Sequence, residues 1–376
     1  RAMSVSLEDH RAPDMAAFIV PLLADLKTVF RTEKGSVVVF PGSGTGGWEA
    51  ALRNLLCEGD HVLGSSFGQF SMLWMSMCRE LGLQTTDIEA AWGAVTPVEA
   101  YRRALEADKT QSIKAVLVCH NETATGVTSD VAAVRALLDD LGHPALLFVD
   151  GVSSIGSIQF DMDAWGVDIT IAASQKGLMT PPGLGIVWVN ERAIERGRNA
   201  DLRNGYFDWH ARLEGEQIYQ QFSGTPPVSH LFALREALRM IDEETLAVRW
   251  QRHRVLGDAV RSAVLTWETP GGVELMIREP GAQADCVTTV LTPHVDALTL
   301  ASVCENTAGL TIGLGVMDHT GSFRIGHMGH VNPPALLGAL GTIEAGLRVV
   351  GAPLGGSGVA SAAEVIAEVM ATYHHA

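Results

Sequence analysis

A single lysine, Lys176, stands in the run Asp168 to Gly185, where an apolar β-branched stretch ends in Ser174-Gln-Lys-Gly177 and continues through Pro181, Pro182, Gly183 and Gly185. The breakers forbid an immediate helix, so the amine sits on an irregular loop at a strand's end. An ammonium beside a buried strand is costly unless it is paired, deprotonated or covalently used. Taken alone, Lys176 fits a surface turn equally well. Asp150 ends the apolar run Ala145-Leu-Leu-Phe-Val149 and precedes Gly151-Val-Ser-Ser154, so its carboxylate is placed to hold a cation or to cap a following turn. His120-Asn-Glu-Thr-Ala-Thr-Gly126 follows the apolar run that ends at Cys119, and its polar density is unusual for a connecting loop.

A glycine-rich loop, Pro41-Gly-Ser-Gly-Thr-Gly-Gly47, follows the run Ser36-Val-Val-Val-Phe40. Gly42, Gly44 and Gly47 fit the dinucleotide fingerprint in spacing, but the next strand region, Val62 to Phe67, has no acid to hold a ribose. Trp48 stands where a P-loop would need its lysine. What survives is a backbone cradle with the Ser43 and Thr45 hydroxyls, suited to one phosphate, or else a tight turn that packs helix on strand. Arg324 offers a bidentate fork for a carboxylate, or a strand arginine in a surface pair.

The elements that must position these groups are legible from periodicity. Helical spacing covers Met15–Val29, Trp48–Leu55, Gln69–Leu81, Pro97–Ala107 and Val131–Leu141. Strand patterns cover Ser36–Phe40, His61–Gly64, Ile113–Cys119, Ala145–Val149, Ile169–Ala173 and Leu184–Val189. Strands apolar throughout and alternating with helices predict a parallel sheet covered on both faces. After about residue 228 the pattern changes to two long helices, His230–Glu243 and Thr245–Trp267. Shorter strands at Val273–Ile277, Cys286–Leu291 and Ser322–Gly326 follow, with further helices at Val295–Cys304, Pro334–Val349 and Ala360–Tyr373. The expected division is a large α/β domain over 1–240 and a smaller α+β domain over 241–376.

The 376 residues carry 27 Lys+Arg against 43 Asp+Glu, a net charge of −16, which argues against a nucleic-acid or anionic-membrane surface. Five scattered cysteines show no metal-ligand spacing, so no metal is expected and a reducing, cytoplasmic setting is. No run approaches the roughly 18 apolar residues of a membrane span. No signal peptide is visible, and the chain begins at Arg1, as though starting late.

An anion cradle, a polar cluster, a carboxylate and a lysine at four strand ends are the parts that pyridoxal phosphate requires. Ser174-Gln-Lys176 with Gly183-x-Gly185 resembles the lysine signature of class V aminotransferases. The resemblance runs from Glu8-Asp-His-Arg11 to Gly355-Gly-Ser-Gly-Val359 and is strongest in Phe40 to Glu49, His120 to Val127, Ala145 to Gly156 and Phe323 to His327. It is nearest to bacterial serine–, alanine– and aspartate–glyoxylate aminotransferases.

That resemblance implies the fold-type I architecture of pyridoxal-phosphate-dependent transferases, with a mostly parallel seven-stranded sheet flanked by helices. It also implies a homodimer with shared active sites. Lys176 would be the Schiff-base lysine and Asp150 the partner of the pyridine nitrogen. Ser43, Gly44, Thr45 and Gln175 would contact the phosphate, joined by Thr225 from the partner subunit. Phe67 would stack on the ring, Val152 would pack on its other face, and Thr123 would approach its hydroxyl. Arg324 would bind the substrate carboxylate. Two departures stand out. No Pro-Gly-Pro-Thr segment precedes the match, and Gly224 replaces the tyrosine usual before the Thr-Pro-Pro turn, with Phe222 nearby as the candidate substrate wall. Serine is the first expected donor, followed by alanine and aspartate. The rival reading on this scaffold is a lyase or desulfurase, which needs a mobile cysteine; Cys119 and Cys304 are poor candidates. A non-catalytic cofactor-binding protein is a third reading, set against the intact lysine, aspartate and arginine.

Overall fold

The computed structural model of the chain describes residues 1–6 and 9–374. Glu8, where the resemblance begins, and the last two residues lie outside them. By internal contacts the chain divides into two units, 1–121 with 129–246, and 122–128 with 247–376.

The first unit is built on a seven-stranded sheet. Its strands in chain order are β1 (Ser36–Gly42), β2 (His61–Ser66), β3 (Gln84–Glu89), β4 (Ile113–Cys119), β5 (Leu146–Asp150), β6 (Ile169–Ala173) and β7 (Gly183–Val189). Across the sheet the order is β1-β7-β6-β5-β4-β2-β3. β2 to β6 pair in parallel, while β7 runs antiparallel to both β6 and β1. Successive residues point to opposite faces, and both faces are apolar. Val116 and Val118 of β4 and Leu147 and Val149 of β5 join one buried cluster; Ala115, Leu117, Leu146 and Phe148 join the other. This double burial explains why these strands read as unbroken apolar runs rather than alternating ones. β3 escaped the sequence reading because Gln84-Thr-Thr-Asp-Ile-Glu89 is polar and only half-buried, as an edge strand can be.

Register places the chemistry. Cys119 lies opposite Asp150, and Asp150 opposite Ile171, so the carboxyl ends of β4, β5 and β6 share one edge. Because β7 is reversed, Gly185 sits opposite both Ala173 and Phe40, which brings the exit of β1 to that same edge.

The second unit holds a four-stranded antiparallel sheet of β8 (Glu274–Leu275), β9 (Val287–Leu291), β10 (Gly313–Leu314) and β11 (Ser322–Gly326), in the order β8-β9-β11-β10. Helices Ala297–Ala308, Pro333–Val349 and Gly358–His374 accompany it, with the long helix Leu246–Trp267 leading in. Leu256, Val260, Trp267, Phe323, Leu340 and Leu347 are fully or nearly fully buried in its core. The segment 122–128 belongs to this unit although it follows β4. The Gly126 carbonyl accepts from the Ala284 amide at 2.9 Å, and the Ala124 carbonyl accepts from the Thr289 hydroxyl at 3.2 Å. No described helix is long and apolar enough to cross a membrane.

Candidate active site

Asp150 is 4% exposed at the end of β5. Burial pushes its carboxyl up to about 6, because the charged form loses water. The opposing influences are donors. The Val152 amide reaches Oδ1 at 2.8 Å, and the Cys119 thiol reaches Oδ2 at 3.7 Å. The buried Trp48 indole N–H also favours the charged form, without reaching an aligned hydrogen bond, and the Lys176 ammonium acts through its field. A buried carboxylate held mainly by weak neutral donors is suited to a cationic partner.

Lys176 lies on the turn after β6 and is half-buried. The turn is closed by its neighbours. The Ser174 hydroxyl donates to the Pro181 carbonyl at 2.8 Å and accepts from the Leu184 amide at 3.2 Å, while the Thr180 amide returns to the Ser174 carbonyl at 3.0 Å. Gly177 fastens this turn to the one after Asp150. A β-carbon there would stand 2.1 Å from the Ile155 carbonyl oxygen and 2.6 Å from the Ser157 hydroxyl. Only a residue without a side chain allows the two backbones so close, and that approach ties Lys176 to Asp150.

The glycine loop is shorter than its sequence implied, since the helix Gly44–Leu55 begins at Gly44 and takes up half of the expected loop. Ser43 caps it, accepting from the Gly46 amide at 3.4 Å. A β-carbon at Gly44 would lie 2.6 Å from a Val152 methyl, so the helix N-terminus seats directly on the residue that holds Asp150. Ser43 and Thr45 remain exposed around that N-terminus. First-turn amides point outward at the positive end of the helix dipole, which suits a phosphate. Anion cradle, carboxylate and lysine therefore adjoin one another in one unit, and they fit pyridoxal phosphate.

A buried polar cluster braces the Asp150 loop from β4. The His120 ring nitrogen Nδ1 lies 2.8 Å from the Ser154 hydroxyl, and its amide donates to the Asp150 carbonyl at 3.1 Å. The Asn121 amide group donates to the Ser153 hydroxyl at 2.7 Å, which donates back to the Asn121 carbonyl at 2.9 Å. Burial lowers His120 to about 4, so the ring is neutral.

The remaining expected residues divide. Val152 is half-buried between Asp150 and Gly44, and Gln175 is exposed beside Lys176. Phe67 follows β2 and is 1% exposed, yet it joins none of the apolar clusters described, as a residue lining a polar site would. Thr225 is exposed on the turn after the buried Phe222. Phe222 itself is 2% exposed and packs in the apolar cluster with Leu22, Leu26 and Leu231. Its ring therefore contributes to the apolar core of the first unit.

In the second unit, Arg324 sits on β11 opposite Thr289 and Gly313. Nε donates to the Leu314 carbonyl at 3.0 Å and Nη1 to the Thr123 carbonyl at 3.3 Å. Those bonds fix the guanidinium plane and use only part of its five donors. Burial lowers its pKa and the buried Glu122 opposes that. Thr123 is 8% exposed and is tied to Arg324 through its carbonyl.

Sequence reasoning missed Trp48 and Cys119. Nothing in one dimension marks a tryptophan or a cysteine as a neighbour of Asp150; only register and helix seating do. Among the described residues no cluster of His, Cys, Asp or Glu is arranged to hold a metal. A cavity of about 500 Å³ lies elsewhere in the first unit, between Lys27, Arg31, Asp161 and Asp242. Its ion pairs, Lys27–Glu33 at 2.8 Å and Arg31–Asp161 at 3.1 Å, mark a solvated surface cleft rather than a site with unmet valence.

Comparison with known proteins decides the family. Residues 16–319 match the model of aminotransferase class-V. The chain belongs to the class-V aminotransferase family. Among its relatives, the serine–glyoxylate aminotransferase of Methylorubrum extorquens is 46% identical over 98% of this chain and 92% of its own. The L-aspartate–glyoxylate aminotransferase of Paracoccus denitrificans is 41% identical over 97% and 91%. A ureidoglycine–glyoxylate aminotransferase of Bacillus subtilis superposes with a TM-score of 0.88 at 26% identity, covering 97% of this chain and 94% of that one. A class-V aminotransferase works with pyridoxal 5'-phosphate, in keeping with the fit of Lys176, Asp150 and the helix N-terminus at Gly44.

Proposed function

We propose that this aminotransferase moves the amino group of an L-amino acid, serine foremost, to glyoxylate, yielding glycine and hydroxypyruvate. The observation that carries the site is the buried Asp150 carboxyl joined to the Lys176 turn through Gly177. The acceptor and donor rest on the relatives: two that share over 40% of their residues with this chain are named for glyoxylate, one with serine and one with aspartate. Aspartate is accordingly the second donor to test.

The bound cofactor supplies an aldehyde that captures amines and a protonated ring that draws electrons from the α-carbon. Asp150 holds the ring nitrogen's proton in place. The first-turn amides after Ser43, with the Ser43, Thr45 and Gln175 side chains, bind the phosphate. Phe67 and Val152 would bracket the ring, and Thr123 would meet its hydroxyl. Lys176 Nζ would hold the cofactor at its aldehyde carbon and would be freed when an amino donor takes its place. The freed amine would take a proton from the donor's α-carbon and return it on the far side of the shared nitrogen, two atoms away. Arg324 grips the carboxylate of each substrate in turn through its remaining donors, a bidentate geometry that lysine does not reproduce. The half-reactions alternate, so the kinetics are ping-pong.

We further propose a homodimer in which Thr225 completes the partner's phosphate site, a role consistent with its exposure on a single chain. A cytoplasmic setting accords with five free cysteines. A desulfurase would need an accessible cysteine at the site, whereas Cys78, Cys119, Cys286 and Cys304 are buried and the half-buried Cys57 lies past the C-terminal end of the helix whose N-terminus forms the anion cradle.

The test is a donor screen with glyoxylate, scoring glycine. Serine should give the highest rate. If the protein binds the cofactor but no amino acid yields glycine, the acceptor assignment is wrong.

A further inference from the structure

The donors around Asp150 are the least expected feature of the site. Cys119 and Asp150 are register partners on adjacent parallel strands, so their side chains share one face of the sheet. The thiol is 3% exposed and reaches Oδ2 at 3.7 Å, while the Val152 amide takes Oδ1 at 2.8 Å. The two oxygens are thus held by different donors from different segments. Trp48, 2% exposed and stacked on Trp74 at 5.8 Å, carries a buried indole N–H that favours the charged carboxyl from the helix with the anion cradle, without making an aligned hydrogen bond.

We propose that Cys119 is a positioning residue: its thiol, seconded by the Trp48 indole N–H, keeps the Asp150 carboxyl ionised and aimed at the cofactor's ring nitrogen. The inference rests on the cofactor reading above and concerns residues that act on the cofactor through Asp150. Burial opposes the charge and leaves the carboxyl titrating at about 6, close to the working range, so a weak donor decides how much of it is ionised. The other titratable group facing Asp150 is Lys176, from the turn after β6; the nearby His120 ring turns away onto Phe160 and Trp165, and burial keeps it neutral above about 4. Neither is altered by a change at Cys119. An alanine there would leave Oδ2 without its strand-β4 donor and move the titration upward.

The experiment measures pyridoxal 5'-phosphate binding to the cofactor-free protein by equilibrium dialysis at several pH values. For Cys119→Ala an upward move of about one unit predicts binding roughly fivefold weaker than the unaltered protein near pH 6, shrinking to within about 1.5-fold near pH 8.5. The cofactor's own protonation cancels in that ratio. Cys119→Ser, which keeps a donor, should restore a ratio near one. Trp48→Phe, which keeps the ring and drops the N–H, should shift the profile in the same direction as Cys119→Ala. An analogue whose ring nitrogen is replaced by C–H should bind both proteins with a ratio independent of pH. A flat ratio for pyridoxal phosphate itself, or an equal pH-dependent loss with the analogue, overturns the inference. Failure of the unaltered protein to bind the cofactor at any pH overturns the cofactor assignment and this inference with it.

Discussion

Replacing Asp150 with asparagine should stabilise the cofactor-free protein while weakening its hold on the cofactor. Burial raises the folded carboxyl to about 6, against 3.8 when unperturbed. The folded chain therefore holds a proton that the unfolded chain releases between those values. Stability falls as pH rises through that window and stays lower at neutral pH. A shift of about two units, at about 1.4 kcal/mol each, is a cost of about 3 kcal/mol. Asparagine is nearly the same shape and still accepts from the Val152 amide, which lies 2.8 Å from the carboxyl. Thermal unfolding of the cofactor-free Asp150→Asn protein at about pH 8 should then come roughly 6–12 °C higher, since 1 kcal/mol moves a domain of this size by about 2–4 °C. The gain should shrink as pH falls toward about 4, where aspartic acid is itself neutral. Affinity for pyridoxal phosphate should drop at least tenfold, because a neutral amide does not pair with a pyridinium. A variant no more stable than the unaltered protein, or one that binds the cofactor equally well, would refute the reasoning.

Other outcomes follow from the same geometry. Arg324→Ala should raise KM for carboxylate substrates by about 10–100-fold, the worth of a charge-assisted pair, and Arg324→Lys should recover little of it; unchanged steady-state kinetics would remove Arg324 from the site. Gly177→Ala places a β-carbon 2.1 Å from the Ile155 carbonyl oxygen, so the Lys176 turn must move; the visible absorbance of the cofactor-loaded protein should weaken or shift, and an unchanged spectrum would show that the turn yields freely. His120 and His327 are buried and neutral, with pKa values lowered by burial to about 4 and about 3. Each then favours folding above the unfolded value of about 6.5 and loses that contribution as pH falls toward the folded value. His327→Gln should flatten the acid limb of the stability profile measured by denaturant titration at successive pH values, and an unaltered slope would count against the assignment.

Much of this site could be read in one dimension because parallel strands announce their ends. Asp150, Lys176 and the cradle each follow an apolar run bounded by breakers, and the strand predictions at Ile113–Cys119 and Ile169–Ala173 match the structure residue for residue. The misses share a cause. β3 is polar because it lies at the sheet edge, so its composition carries no apolar signal. The glycine loop turned into a helical first turn because Gly44 and Gly47 must lie against Val152 and Ile171, which a local reading of glycine as breaker cannot anticipate. Phe222 belongs to the core because long-range packing sets a phenylalanine's surroundings, and its sequence neighbours do not. Segment 122–128 joins the second unit through bonds to Ala284 and Thr289, more than 150 residues along the chain.

The central claim is that Lys176 carries the cofactor. Reducing the pyridoxal-phosphate-loaded protein with borohydride and mapping the modified peptide by mass spectrometry tests it directly. The account predicts one stable pyridoxyl label, on Lys176, absent from the Lys176→Ala variant. A label on Lys34, Lys114 or any other lysine, or retention of the label in that variant, would contradict it.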